Sequence, residues 1–401
     1  MQLTFAATSA LLLYLVIGWS SCQQSESEQN RLAVVQASNA FTTALYQILS
    51  RQFGNMITSP LSANVVLAMA WLGADGETAR QLAKGLYLPQ DRLQVESGFK
   101  MLLSSLKSTE GVTLDIANKM YVQKGFRVKD EFRKTVVDNF LSDVEQVDFT
   151  KNPRAARSLI NQWVEERTQG KIRDLVSPGT LSGYTLLVLI NAIYFKGDWQ
   201  KAFEESSTVM APFRLTRYVF VNVPMMQQTG TFSYGDFPEL KFKALRLPYK
   251  GGTTSMLVIL PDEIEGFKLL EANIVSLNIP DILTRMEEQE VNVFLPRFKI
   301  ERTMNLQRIL EQLGIMDIFK DGANFSGITD QGIYVSNIVQ KAFIEVNENG
   351  TVAAAATEVD FDWRIGTPSA IFKADHPFLF FILDDASGAI LFMGRVMQPK
   401  Q

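Results

Sequence analysis

Arg364 stands at the end of a run that carries Glu358, Asp360 and Asp362 on alternate positions. The turn-forming stretch Ile365-Gly366-Thr367-Pro368-Ser369 follows it. A lone arginine thus closes the run, just ahead of a turn. The run leading to it begins Glu345-Val346-Asn347-Glu348-Asn349-Gly350 and then alternates strictly. Thr351, Ala353, Ala355, Thr357, Val359, Phe361 and Trp363 share one parity and are apolar or small. Val352, Ala354, Ala356, Glu358, Asp360, Asp362 and Arg364 share the other, which ends in four charges. Alternate side chains of a strand face opposite ways, so this is a strand fit to slot into a sheet with one face buried. The same residues read as strand and as exposed bait, which implies a chain that uses both states.

Catalytic chemistry is thin elsewhere. His376 is the one histidine. It could serve a Ser-His-Asp site, but no Gly-x-Ser-x-Gly elbow accompanies it. Its stiff context, Ala374-Asp375-His376-Pro377-Phe378, favours packing. Zinc sites need clusters of Cys or His, which are lacking. No phosphate-cradling or dinucleotide-binding glycine motif follows a strand. Glu165-Glu166 reads as a solvated helix face. Neither an enzyme nor a bound metal or cofactor is expected.

The chain has 401 residues, 46% hydrophobic and 20% charged, a globular composition. A net charge of −4 and a pI near 5.4 disfavour a nucleic-acid binder. Leu11 to Ile17 is an apolar core followed by the small residues Ser20-Ser21-Cys22, the pattern of a secretory leader over residues 1–22. It is too short for a comfortable membrane span, and no membrane partner is expected. Cleavage after Cys22, the only cysteine, would leave a mature chain without thiols, suited to an extracellular compartment. Asn324 and Asn349 each head an Asn-x-Ser/Thr sequon.

The elements that must position the alternating run are mostly visible. Residues 23–30 are polar and expected to fray, and Ala33, Ala37, Phe41, Leu45 and Ile48 then recur at helical spacing. Helices are expected from Ser62 or Ala63 to Gly73, opened by Ser59-Pro60-Leu61-Ser62, over 76–86, 91–107 and 152–168, and from Leu306 to Leu313. Strands are expected over 112–116, 218–223, 242–247, 254–260, 290–295, 333–347, 377–383 and 389–396. Leu186 to Phe195, apolar but for Asn191, reads as a central strand buried on both faces. No linker divides residues 23–401, so one α+β domain is expected.

In order along the chain stand Ser59-Pro60-Leu61-Ser62, Asn191-Ala192-Ile193-Tyr194-Phe195-Lys196-Gly197-Asp198-Trp199, Val223-Pro224-Met225-Met226 and Leu295-Pro296-Arg297-Phe298. The hinge Glu348 to Thr357, Phe372 to Phe378, and Leu391-Phe392-Met393-Gly394-Arg395-Val396 follow. Together these resemble the serpin family from about residue 32 to 399, in a style similar to arthropod members. The resemblance implies three β-sheets, about nine helices and an exposed reactive-centre loop over about residues 349–371. It also implies a secreted suicide inhibitor, monomeric, whose loop is cut and then inserts into the main sheet with the protease attached.

Thr351 to Arg364 would add about 45 Å of strand at ~3.3 Å per residue. The hinge, Gly350, Thr351, Val352, Ala353, Ala354, Ala355, Ala356 and Thr357, has small residues on the parity that enters the core. Glu358, Asp360 and Asp362 are expected to stay in water. The family's spacing from Glu348 puts the cut bond at Arg364–Ile365, which suits a trypsin-like protease with an acidic specificity pocket. The alternative is an ordinary exposed loop arginine, with cleavage at Phe361 or Trp363 by a chymotrypsin-like enzyme. Glu348 and Arg297 match positions near the top of the sheet and are expected to pair. Trp199 and Asn191 match the same region and the strand leading to it. Ser59 and Ser62 match a polar cluster beneath.

Three residues depart from the family pattern. Gln340 stands where many members have histidine, but an amide can still donate and accept. Val352 replaces a glutamate. The Asn349 sequon falls at the pivot and is expected to be unoccupied, or tolerated on the solvent side. Lys151, Arg154, Arg157, Arg167, Lys171 and Arg173 are diluted by Glu165, Glu166 and Asp174, so no polyanion cofactor is expected. A non-inhibitory carrier or storage protein is the rival reading, disfavoured by the small hinge residues.

Overall fold

The computed structural model describes the backbone of residues 3–106, 108–350 and 369–400, with side chains from residue 26 onward within these. Helix α1 spans Leu3–Leu49. It corrects the expected fraying of residues 23–30, which continue the helix, with Arg31 paired to Glu28 at i,i+3. The side chains of the expected leader lie outside the described residues. After β1 (Met56–Thr58), α2 (Pro60–Leu72) is buried on every side. Pro60 fits the first turn because its missing N–H has no helical partner there. Ser59 caps the helix, its hydroxyl accepting from Ser62 N at 3.3 Å.

Helices α3 (Gly76–Gly85) and α4 (Arg92–Ser105) lie near their expected limits. Strand β2 (Val112–Gln123) runs well past its expected end. Helix α5 (Asp130–Phe140) escaped the sequence reading, although Phe132, Val136 and Phe140 recur at helical spacing and are buried. Next come β3 (Val144–Val147), α6 (Pro153–Arg167) and β4 (Leu187–Gly197). The second half holds β5 (Val209–Arg214), β6 (Phe220–Phe237), β7 (Phe242–Pro248), β8 (Thr254–Pro261), α7 (Phe267–Ala272) and α8 (Ile279–Arg285). It closes with β9 (Glu287–Pro296), β10 (Phe298–Asn305), α9 (Gln307–Gln312), β11 (Val335–Val346), β12 (Ala370–Lys373), β13 (Phe378–Asp384) and β14 (Ala389–Val396). The described residues thus hold nine α-helices.

Two hydrogen-bonded sheets result. One has nine strands in the path β1-β14-β13-β8-β7-β6-β9-β12, with β5 on β6. Its 18-residue β6 pairs with β5 and β9 along its earlier part and with β7 at its end. Two of the three expected sheets are therefore continuous through this strand. The other sheet has the order β10-β11-β4-β2-β3. Its inner face meets the main core through Ile338, Ala342, Ile344 and Val346 of β11. Its outer face carries Val339, Phe343, Val188, Ile190 and Tyr194 into a second apolar cluster with Ile160 and Val164 of α6.

Candidate functional site at the parallel seam

Strands β11 and β4 are parallel neighbours at the centre of the five-stranded sheet. Their register sets Gln340 opposite Asn191, Ala342 opposite Ile193 and Phe343 opposite Tyr194. Parallel ladders are slightly weaker per residue than antiparallel ones. A strand running the other way between them would exchange one parallel ladder for two antiparallel ones.

Gln340 ties the middle of this seam to the start of α2. Its Nε2 donates to Asn191 Oδ1 at 2.6 Å and to the Ser59 carbonyl at 2.8 Å. Its Oε1 accepts from the Thr58 hydroxyl at 2.6 Å and from Ser59 N at 3.4 Å. The amide thereby uses two donors and two acceptors, which an imidazole could not match. Asn191 Nδ2 donates to Ser62 Oγ and to Asn118 Oδ1. Ser62 Oγ donates to Asn118 Oδ1 at 3.2 Å, and Ser59 Oγ donates to the Leu391 carbonyl at 2.7 Å. All six side chains are buried, and none is ionisable. Removing one of them would leave its buried partners unpaired, at a cost of about 1–3 kcal/mol.

The upper end of the seam is a second cluster. Glu348 is 2% exposed, and its Oε1 accepts from Arg297 Nε at 2.5 Å and from the Thr208 hydroxyl. Arg297 Nη2 lies 2.5 Å from the same oxygen. Trp199 Nε1 donates to the Asn347 carbonyl at 3.0 Å. The indole stacks on Tyr249, centroids 4.5 Å apart and planes 8° from parallel. Backbone bonds from Trp199 N to Asn349 O (2.9 Å) and from Phe203 N to Glu348 O (2.8 Å) hold the chain as it leaves β11. The chain then turns back: Asn347 N donates to Gly350 O at 2.8 Å, and Gly350 N to Asn347 O at 3.1 Å. Gly350 has φ +131°, and a Cβ there would lie 2.0 Å from the Gly197 carbonyl oxygen, so only glycine fits.

The structure thus brings together Ser59, Ser62, Asn191 and Gln340 at the middle of the seam, and Trp199, Arg297 and Glu348 at its top. Thr351 to Thr357, Arg364 and Ile365 lie outside the described residues. The sequence reading missed Thr58, Asn118, Thr208 and Tyr249. Asn118 had a signal: on β2 it shares the parity of Met120, a core residue, where a polar side chain needs partners. Asn324 is exposed, and its Oδ1 accepts from Ser326 N at 3.1 Å. Asn349 is half-buried, with its carbonyl held by Trp199. The ring nitrogens of His376 face Asp375 Oδ1 at 3.0 Å and the Pro261 carbonyl at 2.8 Å, so neither faces a serine. Burial pushes the Asp375 carboxyl up, but His376 and Lys373 outweigh it and hold it below the usual carboxylate range.

Comparison with known proteins agrees with this geometry. The model of the family described as Serpin (serine protease inhibitor) matches residues 36–399. The leukocyte elastase inhibitor of Homo sapiens is 40% identical over 375 residues, 90% of this chain and 98% of that protein. The crystal structure of Serpin48, a highly specific serpin of the insect Tenebrio molitor, is 38% identical with a TM-score of 0.83, over 92% of this chain and 98% of that one. Human thyroxine-binding globulin, solved with its hormone, is 28% identical with a TM-score of 0.84, over 92% of this chain and all of that one. The chain belongs to the serpin family.

Proposed function

We propose that this serpin is a secreted suicide inhibitor of trypsin-like serine proteases, cut at Arg364–Ile365 and closed by insertion of residues 351–364 into the β11–β4 seam. The observation that supports the proposal is the turn at Asn347–Gly350, whose two ends pair antiparallel at the top of a parallel seam. Continued in that register, Thr351 would lie opposite Val346, Ala353 opposite Ile344, Ala355 opposite Ala342, Thr357 opposite Gln340 and Val359 opposite Ile338. Four of these β11 residues line the main core and Gln340 lies in the polar network. The small and apolar parity of the loop is the one this face can accept. The other parity would face Phe343, Lys341 and Val339 beneath the layer built on α6. In that register Glu358 would sit opposite Val339 and diagonal to Lys341.

Mixing the mature protein with trypsin tests the proposal. The expected outcome is a complex that survives a denaturing gel, with a released peptide beginning at Ile365. Cleavage at Arg364 without a complex would sink it. The likeness to thyroxine-binding globulin favours a second reading, a carrier that shares the fold and not the trap. That reading expects cleavage without capture.

A further inference from the structure

At the lower end of the same seam, a cavity of about 300 Å³ opens between β11 and the segment that leads from α6 into β4. Thr180, Ser182 and Thr185 form one wall, and Ser336, Asn337 and Gln307 face it. Three aromatic residues, Tyr184, Tyr334 and Phe319, add ring surface. No charged residue lines it. The floor is irregular by construction: the β11–β4 register shifts between Val335 and Asn337, a bulge that re-aims Ser336. Ser336 Oγ accepts from Leu186 N at 3.0 Å, which leaves its own hydrogen to donate. Asn337 Nδ2 reaches the Thr180 carbonyl at 3.2 Å, and the Tyr334 hydroxyl reaches the Tyr184 carbonyl at 3.4 Å. These bonds strap the 180–186 segment across the base of the seam.

The lining therefore offers unspent hydroxyl donors and acceptors beside aromatic surface, with no net charge. Its volume is at the small end of ligand sites. The geometry points to a binding site for a neutral, sugar-sized polyol, held between the strap and the bulge at Ser336. Ions are disfavoured because nothing in the lining neutralises them. A polyol bridging both walls would bind only while β11 and β4 stay paired, and would oppose strand insertion by mass action. This last consequence rests on the proposed insertion mechanism; the site itself does not.

Saturation-transfer NMR with D-glucose against the full chain tests the site. The expected result is saturable binding in the millimolar range. Ser336→Ala should weaken it about threefold to tenfold, the effect of one hydrogen bond. Thr180→Trp should abolish it by filling the cavity, and a melting curve for each variant separates this from misfolding. Equal transfer to all three proteins, or none to the folded wild type, would overturn the site. Gluconate binding more tightly than glucose would overturn the neutral class. The trypsin gel, run in parallel, keeps the two readings apart. A covalent complex without glucose binding removes the site alone, and glucose binding without a complex removes the inhibitor reading alone.

Discussion

The two sheets of this protein are closed by different means. In the nine-stranded sheet, β13 and β14 are buried along their whole length, mostly through apolar side chains. In the five-stranded sheet, the central seam crosses a row of amides at Gln340, Asn191 and Asn118. Apolar packing is strong but has no alternative partner to exchange with. Hydrogen bonds can be handed from one partner to another with little net change. A sheet meant to stay shut is best packed with oil. One that opens to admit a strand is better latched with polar groups.

Charge on the entering strand should break this distinction most severely. Ala355→Glu would set a carboxylate opposite Ala342, in the core. Trypsin should still cut at Arg364, but the yield of covalent complex should fall by at least about 100-fold. Phe380→Ala, in the nine-stranded sheet, should lose about 3–5 kcal/mol in denaturant unfolding. The share of trypsin captured per cut should not change, and a drop in that share would erase the contrast between the sheets.

A gentler effect is expected at the latch. Gln340→Leu strands the Thr58 hydroxyl, the Ser59 carbonyl and the Asn191 Oδ1 atom, at a cost of about 2–3 kcal/mol. Gln340→His should recover part of this and add a dependence on pH. Burial among neutral groups depresses the folded pKa of the new histidine below its unfolded value of about 6.5. The unfolded state then binds more protons, so the variant loses stability as pH falls below that value. Denaturant melts on either side of it would show the slope, absent from the wild-type network. The smallest change is expected from Arg297→Ala, about 1–2 kcal/mol, because the guanidinium side is 37% exposed and water replaces part of what Glu348 loses. It should appear as faster spontaneous loss of inhibitory capacity on storage.

Much of this contrast was legible in the residues. The continuous apolar run ending at Phe195 announced a central strand, and Asn191 was its one anomaly. The helix expected from Ser62 is there too, starting two residues earlier behind the Ser59 cap. What could not be read was pairing. Nothing local says that β11 lies parallel to β4, since register is decided by strands far apart in sequence. The partners of Glu348 were only half visible for the same reason: Arg297 follows from the family pattern, whereas Thr208 sits in a stretch with no periodicity. The short helices α7 and α8 are too brief for a 3.6-residue pattern to declare itself.

The turn at Asn347–Gly350 has one more consequence. Because both backbone and side chains clamp it, it is a fulcrum rather than a free joint. In the proposed movement the cut arm swings about this fixed point from one pole of the sheet toward the other. A strand of about 45 Å on a fixed pivot sweeps its tip through nearly twice that length. The clamp at Gly350 thus sets the throw of the lever, and with it the distance over which a captive enzyme would be hauled.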